Sequence, residues 1–221
     1  VGVETPIPTL DREKYAWSAG YRCVAGLDEA GRGAWAGPVV AAAVVLPPDD
    51  LELARHLDGV RDSKMLTAAR RESLLEVIQA RAVTVGVGAV PPAAIDAHGI
   101  VAATRRAMHL ALQALSLPAD YLLIDHLVLP DLPLPQVSLP KGDALVLSIA
   151  AASIVAKVSR DRMMVDLDSQ FPGYGFARHK GYGTAAHQSA LASMGACRIH
   201  RFSFAPLQGM ARPGSPAGRA L

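Results

Sequence analysis

Apolar residues follow two rhythms along this chain. Dense apolar runs at 21–28 and 38–46 read as strands joined through a glycine-rich turn, which makes them an antiparallel pair. The alternating stretch 82–90 is a third strand, and Tyr121-Leu122-Leu123-Ile124 is a fourth that ends on Asp125. A short edge strand fits around Val137 inside the proline-rich segment 130–140. Helical spacing appears behind Thr67, an N-cap candidate, where Leu74, Leu75, Val77 and Ile78 share a face. It returns over 99–116, with Ile100, Ala103, Ala107, Leu110 and Leu115 inward, and from 144 to about 170 as one long helix. Thr184 can cap a last helix over 185–194, closed by Gly195. Short helical pieces are expected within 1–20 and after Pro91-Pro92. The order β-β-α-β-α-β-(β)-α-α predicts a mixed α/β fold.

Length and composition narrow this. With 221 residues the chain is expected to form one domain. Its most apolar helical stretch, 144–156, falls short of the ~18 residues a membrane span needs. No basic segment followed by an apolar one opens the chain, and Cys23 and Cys197 make no disulfide framework, so a cytoplasmic location is expected. A net charge of +2 is compatible with a nucleic-acid partner without selecting one. Cations recur as pairs, Arg70-Arg71, Arg105-Arg106, Arg160 with Arg162, and Arg178 with Lys180, each readable as a solvated face.

The candidate chemistry lies at element ends. Asp28 and Glu29 close the first strand, and Asp125 closes the fourth; adjacent carboxylates on strand ends suit hard divalent cations. Gly31 and Gly33 flank Arg32 and remove side chains that would keep a ligand off the backbone. Ser153, Lys157 and Asp161 share one face of the long helix, an arrangement equally consistent with a plain Lys157–Asp161 ion pair. A second glycine cluster, Gly173, Gly175, Gly181 and Gly183, surrounds Tyr174, Tyr182, Arg178, His179 and Lys180, a mixture of cations and rings suited to phosphates and bases. His179, His187 and His200 lack the spacing of zinc ligands.

These pieces, in this order, resemble bacterial ribonuclease HII, the type 2 ribonuclease H family. The resemblance covers about residues 15–207 and rests on Gly26-Leu27-Asp28-Glu29-Ala30-Gly31-Arg32-Gly33, Asp62-Ser63-Lys64, Tyr121 to Asp125, Lys141-Gly142-Asp143, Ser148 to Asp161, Lys180-Gly181-Tyr182-Gly183-Thr184 and His200-Arg201 with Ser203-Phe204. It implies a ribonuclease H-like fold, a mixed five-stranded sheet flanked by helices, with a C-terminal helical extension. The implied layout is a lead-in at 1–20, a catalytic domain at 21–170, a loop and helix at 171–207, and a tail without fixed structure at 208–221. It further implies hydrolysis of the RNA strand of RNA–DNA hybrids and incision 5′ of single ribonucleotides in duplex DNA. The implied agents are two Mn²⁺ or Mg²⁺ ions and the carboxylates Asp28, Glu29, Asp125 and Asp161. Substrate contacts fall on Gly31, Arg32, Gly33, Ser63, Lys64, Lys157 and Tyr182, in a monomeric enzyme. Two positions depart from the family pattern: His126 stands where glycine is usual, and His98 where asparagine is common. Two rival readings remain open at this point, another two-metal nuclease on the same fold and a non-catalytic nucleic-acid-binding protein.

Overall fold

The computed structural model describes residues 6–213. Its regular elements are α1 (Asp11–Ser18), β1 (Val24–Ala30), β2 (Val39–Val45), α2 (Leu53–His56), α3 (Ala68–Arg81), β3 (Thr84–Val90), α4 (Pro92–His98), α5 (Ile100–Gln113), β4 (Tyr121–Asp125), β5 (Gln136–Leu139), α6 (Gly142–Leu145), α7 (Leu147–Gln170), α8 (Phe176–His179) and α9 (Ala185–Met194). The strands form one five-stranded sheet in the order β3-β2-β1-β4-β5. β1 pairs antiparallel with β2, and β2 with β3, whereas β4 runs parallel to β1 and β5 parallel to β4.

Alternation along the strands sorts the core into two layers. Leu27, Ala41, Ala43, Val45, Leu122 and Ile124 pack on the α5 side with Ala103, Ala107, Met108 and Ala111. Ala30, Ala42 and Val44 face the other way, onto the small residues Ala150, Ala151, Ala152 and Ala156 of α7. Both helices lie close to the sheet because glycines open the way. A Cβ on Gly88 would stand 2.2 Å from the Ala107 carbonyl oxygen, and one on Gly26 2.3 Å from the Ser148 carbonyl carbon. Asp28 belongs to the α7 face, opposite Ala42 in register, and so does Asp125, two residues beyond the inward Leu123 of the parallel neighbour. The packing that builds the core therefore aims both acids at the long helix.

Thr67 and Thr184 cap α3 and α9, accepting from the amides of Arg70 and His187 at 3.2 and 3.3 Å. The first strand and the long helix differ from expectation: β1 runs Val24–Ala30 rather than 21–28, so Asp28 and Glu29 lie within it rather than closing it. The long helix does not run unbroken from 144: Val146 is extended, with φ −123° and ψ 124°. Thr9 forms an isolated bridge to Val146, its amide bonding the Leu145 carbonyl at 3.1 Å and its carbonyl accepting from the Leu147 amide at 2.9 Å. The lead-in segment thus takes up backbone groups that a continuous helix would have used. Glu13 of α1 adds a second tie, its fully buried carboxylate accepting from the Ser148 amide at 2.7 Å in the first turn of α7. Residues 208–213 stay against the body, Arg212 reaching Asp96 at 3.4 Å. The rest of the segment expected to lack structure, 214–221, lies outside the described residues, as do 1–5.

His126 follows β4 with φ 56°, one of three non-glycine residues at positive φ among the described residues, together with Lys141 and Lys180. The left-handed region costs a side chain about 1–2 kcal/mol, which explains why glycine suits this position. His126→Gly is expected to raise stability by about 1 kcal/mol, a melting-temperature gain of roughly 2–4 °C for a chain of this size. An unchanged or lower melting temperature would refute the strain.

Candidate active site

β1 and β4 run side by side, with Leu27 paired to Ile124, so Asp28 and Asp125 follow as neighbours at the carboxyl ends of the two central parallel strands. Asp28 is almost fully buried and accepts from the Glu29 amide at 2.7 Å. Burial pushes its carboxyl well above the ordinary range, and the charges of Glu29 and Asp125 push it further. Burial also raises Glu29, against the pull of Arg32, whose guanidinium lies 3.3 Å from Oε1. Its Oε2 is buried with no hydrogen-bond partner. Asp125 accepts from the Gly142 amide at 2.7 Å, and burial raises it, with the Asp143 charge adding to the rise.

Asp161, from the middle of α7, is held differently. Lys157 bonds it at 2.5 Å and Arg71 of α3 stands 3.6 Å away. The i,i+4 pair is therefore present, but on a largely buried face where both side chains are about one-sixth exposed. Burial lowers the Lys157 ammonium, partly offset by Asp161. Ser153, one turn before Lys157, donates to Ser63 Oγ at 2.9 Å. Lys64 reaches the buried Asp143 at 3.2 Å and Asp62 at 3.7 Å. Burial would lower its ammonium, but these acids outweigh that and hold it up at about 12.

The glycine-rich turn after β1 has two faces. Gly33 is exposed, with nothing within 4 Å of where a Cβ would stand. Gly31 is buried at φ +92°, and its missing side chain makes room for Arg160, whose Nε would lie 1.9 Å from a Cβ there. Close approach of a ligand thus explains the lack of a side chain at Gly33 but not at Gly31. Tyr182 is half-buried beside the helix, its ring centroid 5.4 Å from the Arg160 guanidinium and 5.9 Å from the Lys157 ammonium.

Four participants carried no clear sequence signal. Arg160 and Arg201 are fully buried. Arg160 donates to the carbonyls of Pro38, Lys180 and Ala36 at 2.9, 3.0 and 3.1 Å. Arg201 donates to Gly37 at 3.0 and 2.9 Å, to Arg32 at 2.9 Å and to Pro38 at 3.0 Å. Arg160 thereby ties the turn after β1 to the Tyr182 turn, and Arg201 holds the turn after β1 from within. Arg71, whose pair with Arg70 reads as a solvated face, is instead mostly buried, bonding the Ser63 and Leu66 carbonyls at 2.9 and 2.6 Å. Asp143 is buried and acts on both Lys64 and Asp125. The hint of these roles is position: Arg160, Asp143 and Arg201 each lie inside one of the motifs that carry the family resemblance, whereas Arg71 lies in none.

Three carboxylates raised together, one with an orphaned buried oxygen, form an acid cluster short of positive charge. A hard divalent cation with oxygen ligands fits that deficit. Among the described residues no three such groups are already closed into a metal cage, because Glu29 is turned onto Arg32 and Asp161 onto Lys157 and Arg71.

Comparison with known proteins places this arrangement in context. A model of the family Ribonuclease HII matches residues 25–207. Ribonuclease HII of Roseiflexus castenholzii is 57% identical over 204 residues, covering 92% of this chain and 91% of its own. Ribonuclease HII of Chloroflexus aurantiacus is 55% identical over 201 residues, covering 91% of this chain and 95% of its own. The crystal structure of ribonuclease H2 from Pyrococcus horikoshii is similar with a TM-score of 0.69 at 27% identity, covering 83% of this chain and 94% of that one.

Proposed function

The chain belongs to the ribonuclease HII family and is a ribonuclease H, and from that premise we propose that it hydrolyses the RNA strand of RNA–DNA hybrids and incises duplex DNA 5′ of single embedded ribonucleotides, as a cytoplasmic monomer. The observation that carries this reading is the acid cluster of Asp28, Glu29 and Asp125, raised by burial and by one another, at the ends of paired strands and beside two interlocked turns. No helix among the described residues is long and apolar enough to cross a membrane.

In this reading Asp28, Glu29, Asp125 and Asp161 hold two Mn²⁺ or Mg²⁺ ions. When bound, such ions supply an activated water and stabilise the leaving oxygen of an in-line displacement. The chain's own groups do the rest. Lys157 holds Asp161 in place and would supply a positive charge toward the scissile phosphate. Ser63 and Lys64 contact the phosphate backbone, Ser63 anchored through Ser153 and Lys64 through Asp143. The Gly31-Arg32-Gly33 backbone reads the ribose 2′-hydroxyl, which separates RNA from DNA, and exposed Gly33 lets the substrate approach closely. The Tyr182 ring packs on the deoxyribose at the RNA-to-DNA junction. Attack by water rather than by the 2′-hydroxyl leaves 3′-hydroxyl and 5′-phosphate ends.

Incubation with a duplex bearing one ribonucleotide, a continuous hybrid and an all-DNA duplex, each with and without Mn²⁺, tests the proposal. Cleavage of the first two alone, only with metal, is expected. Cleavage of the all-DNA duplex would favour a general two-metal nuclease, and binding without cleavage a non-catalytic role.

A further inference from the structure

Behind Tyr182 lies a group of buried side chains that the cleavage chemistry does not use. His179, His187 and His200 are all buried and stack or tilt against one another and against Phe176, with His179 and His187 ring centroids 4.4 Å apart. Their bonds end on the backbone of the Tyr182 turn. The Gly181 amide donates to His179 Nδ1 at 3.1 Å, and the Tyr182 carbonyl lies 3.0 Å from His187 Nδ1. The other nitrogen of His187 faces His200 Nε2 at 3.0 Å, and His200 Nδ1 lies 2.9 Å from the Cys197 amide and 3.1 Å from both the Cys197 carbonyl and Sγ.

With both rings neutral, the partners set the protons of His187 and His200. A carbonyl only accepts, so His187 Nδ1 carries hydrogen toward Tyr182. Two facing imidazole nitrogens need one hydrogen between them, so His200 Nε2 donates to His187 Nε2. A neutral His200 whose hydrogen is on Nε2 has a bare Nδ1, so that nitrogen accepts from the Cys197 amide rather than donating to the Cys197 carbonyl. The result is one directed chain of neutral rings, Cys197 amide to His200 to His187 to the Tyr182 carbonyl. Burial supports neutrality: it lowers His187, and it lowers His200 to about 4. The charges that act on the pair come from His179 and from each other, while Cys197 and Tyr174 stay protonated as burial raises both.

We infer that His187, oriented by His200, is a positioning residue that sets the angle at which Tyr182 meets the substrate, and is thereby a determinant of the preference for ribonucleotide–DNA junctions. The inference rests on the reading of Tyr182 given above. Among the described residues the Tyr182 side chain makes no hydrogen bond; Arg160 and Lys157 lie over its face, and the His187 bond to its carbonyl is the side-chain hydrogen bond that fixes the backbone carrying the ring. Arg160 fixes the preceding Lys180 carbonyl from the opposite side.

The test compares kcat/KM on a single-ribonucleotide duplex with kcat/KM on a continuous hybrid. His187→Phe keeps an aromatic ring but removes the donor, and should lower the ratio of the two roughly tenfold, the scale of one lost base-stacking contact. His187→Asn, whose amide nitrogen sits where Nδ1 was, should restore most of the ratio. General destabilisation would lower both activities together and leave the ratio in place, so an unchanged ratio in His187→Phe overturns the inference. Tyr182→Ala serves as the reference: if it lowers the ratio and His187→Phe does not, the positioning role alone fails. If Tyr182→Ala leaves the ratio unchanged, the junction reading of Tyr182 fails and takes this inference with it. Nitrogen-15 NMR of the unmutated protein at neutral pH gives a check that needs no variant to fold. It should find His187 as the Nδ1–H tautomer and His200 as the Nε2–H tautomer; the reverse for His187 overturns the proposal.

Discussion

Asp28→Asn and Asp125→Asn are each expected to reduce cleavage by several orders of magnitude while leaving the protein folded and, without metal, more stable. Under the proposed reading, either change removes a negative cation ligand without altering shape, so the loss falls on the chemistry. The gain in stability follows from the same electrostatics. Asp28 is buried against Glu29 and Asp125, and its folded carboxyl lies above its ordinary, unfolded range. The folded state therefore holds that proton more tightly than the unfolded chain does. Stability linked to the group is complete below the ordinary carboxylate range and is lost as pH rises through the raised value. Metal-free protein should accordingly melt at lower temperature as pH climbs toward neutrality, and Asp28→Asn should flatten that slope. Asparagine relieves the repulsion and should raise the melting temperature near pH 7 by a few degrees, with roughly 2–4 °C expected per kcal/mol. Added Mn²⁺ should stabilise the unmutated protein more than either variant, because only the full acid set binds it well. Thermal melts with and without Mn²⁺, beside turnover on a hybrid, read all of this. Near-normal turnover in either variant with Mg²⁺ would sink the assignment.

Much of this site was legible because its acids end apolar runs. Asp28 follows the apolar run of β1 and Asp125 ends β4, and the sheet then places them side by side. The ribonuclease H-like fold and its mixed five-stranded sheet followed from the same runs together with the resemblance they supported. Interactions between segments distant in sequence were not legible. The break at Val146 is imposed by Thr9, and nothing near Val146 signals it, because the residues around it are good helix formers. His126 looks like an ordinary strand-end residue, yet the chain turns there through the left-handed region. Arg71 reads as half of a solvated pair because its partners, the Ser63 and Leu66 carbonyls and Asp161, come together only when α3 packs on α7. Arg160 and Arg201 were hidden for a related reason: a buried guanidinium is compatible with the core only if carbonyls are waiting, and here those carbonyls belong to turns remote in the chain.

That dependence makes Arg160→Met the substitution expected to cost most in stability. The methionine fills much of the arginine stem, so the loss is polar rather than steric. The Ala36, Pro38 and Lys180 carbonyls each lose a charge-assisted donor in a place water does not readily reach. A buried polar group left without a partner costs about 1–3 kcal/mol; Pro38 keeps its bond from Arg201, and the two carbonyls left bare, those of Ala36 and Lys180, exceed what is recovered by no longer burying a charge. Burial opposes that charge, lowering the guanidinium from its ordinary range, so the recovery is real but partial. The net expectation is a loss of roughly 3–5 kcal/mol, the scale seen when one member of a buried charged network is removed. Arg160→Lys should recover little, since one ammonium on a flexible stem does not span carbonyls that the planar fork meets together. Both variants should also loosen the Tyr182 turn, which Arg160 holds through Lys180, and weaken activity beyond what the unfolded fraction explains. Urea titrations decide it: the midpoint should fall with the slope unchanged. A loss below about 1 kcal/mol in Arg160→Met would mean that water or the backbone itself satisfies those carbonyls, and that the two turns are not joined through the guanidinium.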